Sequence, residues 1–157
     1  MLSSGHFRHR AAAVASGTAP PATCMISPHY PLASWFLLVC ATFFLLVVAL
    51  PLLIAPLIWA RVFGWKVPEG NTDLTVYFGR CLGAVALAII VTVTHGISDP
   101  RNHKPLFDLI SLSTGLMVFV HVWGWLRKAQ PLTETVETAV WAVVFLVSVW
   151  IRFSMLA

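Results

Sequence analysis

Residues 35–60 read WFLLVCATFFLLVVALPLLIAPLIWA, 26 positions without one Asp, Glu, Lys or Arg. A helix needs about 20 consecutive apolar residues to cross the hydrocarbon core, so this run predicts a complete membrane span with length to spare for tilt. Pro51 and Pro56 fall in its second half. Each removes a backbone N–H and frees the carbonyl four residues back, which predicts a kink whose freed carbonyls need partners from neighbouring helices.

The rest of the chain agrees with lipid as solvent. Of 157 residues, 59% are hydrophobic and 10% charged, against about 25% charged in soluble domains. Three further apolar blocks follow, at about 74–95, 106–126 and 135–155. Asn71, Thr72 and Asp73 offer N-cap chemistry to the second, with Gly96 as its C-cap. Pro105 and Asp108 suit the start of the third, and Thr133 is a candidate cap for the fourth. The second and fourth blocks count as spans only if Arg80, Glu137 and Arg152 lie inside them, snorkelling or paired; a re-entrant segment is the alternative. The connections (61–73, 97–104 and 127–131) are short, which makes sequential helices antiparallel. The expected fold is all-α: an integral membrane four-helix bundle of up-down topology, occupying 31–157.

Residues 1–30 are Ala-, Ser- and Pro-rich and contain no acid. They lack the apolar core of a secretory signal. A flexible leader, translation beginning at Met25, and an organellar transit peptide all fit. The compartment expected is a bacterial inner membrane, or an organellar inner membrane if the leader is a transit peptide.

The net charge is +4, but the basic residues stand singly at the ends of apolar blocks, where they anchor helices and meet lipid phosphates. Nucleic acid is therefore not an expected partner. Arg8, Arg10, Arg101, Lys104 and Arg152 fall on one face and Arg61, Lys66, Arg80, Arg127 and Lys128 on the other, so positive charge does not orient the chain. Trp59, Trp65, Trp123, Trp125 and Trp141 gather at one interface, as an aromatic belt or a stacking pocket. Cys24, Cys40 and Cys81 form no CxxC pair, and no zinc-ligand spacing, nucleophile motif or phosphate loop is present.

Antiparallel order sorts the polar residues by depth. Arg80, His121 and Glu137 share one face of the membrane and form a candidate polar pocket, in which Arg80 binds an anionic headgroup or quinone oxygen and His121 passes a proton. His95, Asp108 and Arg152 form a candidate cluster at the opposite face. The simpler structural reading is two ion pairs, Arg80 with Glu137 and Asp108 with Arg152. Gly79 and Gly83, and Ala84 and Ala88, make two small-xxx-small pairs suited to close helix packing. His121 lies roughly 22 Å deeper along its helix than Leu106, and His95 sits near the other end of the bundle. The two histidines therefore do not clasp one haem within a protomer.

With a proline-kinked first helix, the run Tyr77-Phe78-Gly79-Arg80-Cys81-Leu82-Gly83-Ala84 resembles the start of helix two in small bacterial membrane proteins of the DoxX-like type. The resemblance extends over roughly Trp35 to Met155. It implies a four-helix layout and a helper or subunit at least as readily as an enzyme, since that group includes subunits of quinone-linked oxidoreductases. It carries over no catalytic residue. The leading expectation is a non-catalytic membrane subunit or assembly factor that contacts the lipid bilayer and other membrane subunits or its own copies. A small oxidoreductase component acting on quinone is the first alternative, and an oligomeric transporter or channel the second.

Overall fold

The computed structural model describes residues 25–155; the readings of 1–24 lie outside them. Helix α1 spans Pro31–Ile54, α2 Pro56–Val62, α3 Asp73–His95, α4 Lys104–Leu126 and α5 Leu132–Ser154. A one-turn 3₁₀ segment, Pro100–His103, precedes α4. Among the described residues, four of the five helices are long and apolar enough to span a membrane, and the chain is an all-helical membrane protein. No more than 28% of any span's most apolar window is buried. Leu46, Leu112, Phe119 and Val143 point outward, as side chains facing lipid do.

The prolines break the first block in a specific way. The chain widens into a π-turn at Leu45–Ala49, just before Pro51. Pro51 has no N–H for the carbonyl of Val47, and the indole Nε1 of Trp59 donates to that oxygen instead at 2.7 Å. The helix then stops at Ala55 (φ −140°, ψ 62°), and Pro56 opens α2. The sequence predicted one kinked span over 35–60. The structure has a span and a short second helix, because Pro56 permits a fresh helical start but cannot continue the old one.

Packing is strongest within two helix pairs. In the first, Gly79 and Gly83 of α3 lie against the broken half of α1 and the start of α2. A methyl at Gly83 would come within 2.6 Å of the Leu53 nitrogen, and one at Gly79 within 2.5 Å of Pro56 Cβ. Gly83 thus meets backbone and Gly79 the ring of Pro56, close approaches that small residues permit. Ala84 and Ala88 are exposed, so the second small-residue pair does not pack inside the bundle. The inward face of α3 is centred on Gly83, Ile90 and Val93, and Ala84 and Ala88 lie roughly 140° and 180° round the helix from it.

In the second pair, α4 and α5 form a tight antiparallel hairpin. The hydroxyls of Ser111 and Ser148 bond each other at 2.7 Å, and Gly115 receives the ring of Phe145. The two pairs meet at the end holding Pro31, His95, Lys104 and Ser154. There Leu37, Ile97, Phe107, Ile151 and Met155 are buried together. Residues 25–30, expected as leader, pack at that end. Ser27 is buried and its N–H donates to Ser34 Oγ, which itself donates to the carbonyl of Ile97. Farther along, the backbones of α3 and α4 scarcely approach. That gap holds the candidate site.

Candidate functional site

Helix α5 begins at Leu132, a turn earlier than the block read from 135, because Pro131 ends the preceding turn in an extended conformation (φ −63°, ψ 160°). The earlier start brings Glu134 into the first turn, where the helix dipole favours a carboxylate. It also sets Glu134 and Glu137 three residues apart on one face. Opposite them, α4 presents His121 one and a half turns before its C-terminal end.

The three side chains converge. His121 Nε2 lies 3.1 Å from Glu134 Oε2 and 4.0 Å from Glu137 Oε2. One donor atom from each of the three residues falls within 4.8 Å of the others. His121 and Glu134 are only 4% and 7% exposed, whereas Glu137 is half-buried. Two neighbours hold them from behind. His121 Nδ1 is 2.8 Å from the carbonyl of Met117, and Trp65 Nε1 donates to Glu134 Oε1 at 2.7 Å. Trp65 is delivered by the turn after α2, which is anchored where Thr133 Oγ1 donates to the Phe63 carbonyl.

This group lines a cavity of about 290 Å³ between the two helix pairs, near the lower limit for small-molecule sites. Its walls are mostly aliphatic and aromatic, with Phe44, Leu52, Ile89 and Met117 among them. On α4 it runs from Leu109 to His121, roughly 18 Å of helix. Leu82, Val85, Leu109 and Ser113 line it while remaining exposed, so it opens sideways between α3 and α4. Trp141, stacked on Phe44 with ring centroids 5.1 Å apart, has a buried Nε1 with no hydrogen-bond partner among the described residues.

The structure divides the expected polar pocket. His121 and Glu137 come together, but Arg80 does not join them. It is exposed, pairs with no acid among the described residues, and lies outside the cavity lining. The difference is one of rotation: Arg80 sits roughly 100° round α3 from its inward face. The expected Arg80–Glu137 pair is therefore absent, and Glu134 is the acid that meets His121. Glu134 was legible as a member of a Glu-x-x-Glu pair, but it fell one residue before the block as drawn.

At the other face the Asp108–Arg152 pair forms, Arg152 Nε to Asp108 Oδ1 at 2.9 Å. His95 stays out of it, with Nδ1 2.8 Å from the carbonyl of Val91 on its own helix. Its position, two residues beyond inward-facing Val93, turns it away by about 200°. The tryptophans split between the two readings. Trp123 and Trp125 are exposed as a belt, while Trp59, Trp65 and Trp141 serve the cavity and its cluster. No protein-family model matches the chain, and no curated protein or solved structure matches it.

Proposed function

We propose that the protein is a membrane-embedded binding component for a lipid-soluble molecule with hydrogen-bonding oxygens, of the quinone class. The observation that carries this reading is the form of the cavity. It is apolar, it opens toward the lipid between α3 and α4, and it bears His121, Glu134 and Glu137 on its wall. An apolar pocket with a few convergent polar groups is the usual shape of a small-molecule site.

The test uses the tryptophans that line the cavity. Full-length protein in nanodiscs, titrated with a short-tailed quinone, should show saturable quenching of Trp59 and Trp141 fluorescence. Ala86→Phe, which fills the cavity from α3, should abolish saturation, and Arg80→Ala should leave it intact. Quenching that never saturates, or that is the same in the filled variant, would refute the reading.

A second observation supports the subunit reading alongside this one. Arg80, Ala84 and Ala88 form an exposed stripe on α3 of the kind that admits another helix closely. On that reading the protein contributes its cavity to a larger assembly, and the DoxX-like resemblance supports a bacterial inner membrane as its place. Crosslinking from Ala88→Cys in native membranes should then trap a discrete partner band.

A further inference from the structure

We infer that His121, Glu134 and Glu137 form a binding site for a first-row divalent metal cation such as Zn²⁺ or Fe²⁺. The argument begins with one proton. A carbonyl oxygen only accepts, so the 2.8 Å contact with Met117 fixes the hydrogen of His121 on Nδ1. A neutral imidazole then turns its Nε2 lone pair toward Glu134 Oε2, 3.1 Å away. Two acceptors face each other in a site almost closed to solvent, and a positive centre must lie between them.

A proton and a metal cation both qualify, and three features favour the metal. Glu137 Oε2 closes in as a third donor, which a single shared proton does not require. No Lys or Arg pairs with either carboxylate among the described residues. With both carboxylates ionised, the pair and a neutral imidazole would carry two negative charges, which a divalent cation cancels and one proton only halves. Finally, the Met117 carbonyl behind His121 and the Trp65 indole behind Glu134 are the outer hydrogen bonds that orient metal ligands. One imidazole with two carboxylates suits borderline cations rather than soft ones. Three protein donors also leave at least one coordination position open, as sites that bind an exogenous ligand do.

The inference stands apart from the quinone reading, because metal uptake is measured with no lipophile present. Chelator-stripped, full-length protein in nanodiscs is titrated with Co²⁺ and followed by its visible absorption, with Zn²⁺ as competitor. One equivalent of Co²⁺ should bind with the intense spectrum of a low-coordinate site, and one equivalent of Zn²⁺ should displace it. Trp65→Phe, which removes only an outer hydrogen bond, should weaken binding about 10- to 100-fold, and Glu134→Gln or His121→Ala by more than that. His95→Ala and His103→Ala should leave the spectrum unchanged. Thermal melting of stripped protein reports whether each variant is folded. Absence of saturable uptake by the native protein, or unchanged affinity in a folded Glu134→Gln variant, would overturn the metal site and assign the gap to a proton. If quinone quenching persists in stripped protein while Co²⁺ fails to bind, the metal inference alone is lost.

Discussion

Replacing Glu134 by glutamine should leave the fold almost as stable as before, and replacing it by leucine should not. In the native protein Oε1 accepts from Trp65 Nε1 at 2.7 Å and Oε2 faces His121 Nε2 at 3.1 Å. A glutamine in the same rotamer keeps the first bond through its oxygen and places an amide N–H opposite the imidazole lone pair. Both buried partners remain satisfied, and Glu137 loses a like-charged neighbour. The expected cost is under about 1 kcal/mol, within the net worth of one hydrogen bond. Leucine strands the indole N–H and the imidazole nitrogen at about 1–3 kcal/mol each, roughly 2–6 kcal/mol together. Equilibrium unfolding of metal-stripped protein in mixed micelles, by steric trapping or graded SDS, measures both. The refuting result is a glutamine variant as unstable as the leucine one. It would show that His121 is an imidazolium held by the negative charge of Glu134, a buried pair whose rupture costs about 3–5 kcal/mol. Hydrogen bonding alone, without charge, would then not be what satisfies His121 and Trp65.

Other expectations follow from the packing. Gly83→Ala improves helix propensity by about 1 kcal/mol, yet its methyl meets the Leu53 nitrogen at 2.6 Å and the Ala49 carbonyl at 2.9 Å. Backbone atoms give way poorly, so the same unfolding assay should show a net loss of about 1–3 kcal/mol, whereas Ala84→Gly should lose only the propensity term. Trp59→Phe should cost about 1–3 kcal/mol by leaving the Val47 carbonyl unbonded beside Pro51, with faster amide exchange through the Leu45–Ala49 turn. The Asp108–Arg152 pair is 2.9 Å long, but its side chains are 57% and 25% exposed. A double-mutant cycle with Asp108→Asn and Arg152→Gln should give a coupling below about 1 kcal/mol that shrinks with added salt.

Some of this architecture could be read directly from the chain. An uncharged run of 26 residues has one stable environment, and the short loops leave antiparallel order as the simple solution. Depth was equally legible, because rise per residue is fixed. It placed Asp108 level with Arg152 and His121 level with Glu137. Rotation about each helix axis was not legible. In a soluble helix the apolar stripe marks the inward side, but a membrane helix is apolar toward lipid and core alike, and the pattern loses its direction. Arg80 and His95 were misplaced for this reason, and Ala84/Ala88 could not be told apart from Gly79/Gly83 by spacing alone. The helix start also mattered: drawing α5 from 135 hid Glu134 by one residue, although Pro131 marked where the helix could begin.

The proline pattern and the polar site are parts of one solution. In lipid no water satisfies a stray backbone or side-chain polar group, so every break must be repaired from within the protein. Pro51 leaves the Val47 carbonyl open, and the indole that closes it, Trp59, stands on α2, a helix that exists because Pro56 ended α1 at Ala55. The same redirected chain presents the Phe63 carbonyl to Thr133 and the Trp65 indole to Glu134. Had α1 run straight through residue 60, Trp59 and Trp65 would have continued along its axis and left Glu134 without its outer hydrogen bond. The two prolines, dispensable for crossing the membrane, thus fix the geometry of the acid that meets His121. Changes at Pro56 should therefore register first at the His121–Glu134–Glu137 cluster, before the four spans themselves are disturbed.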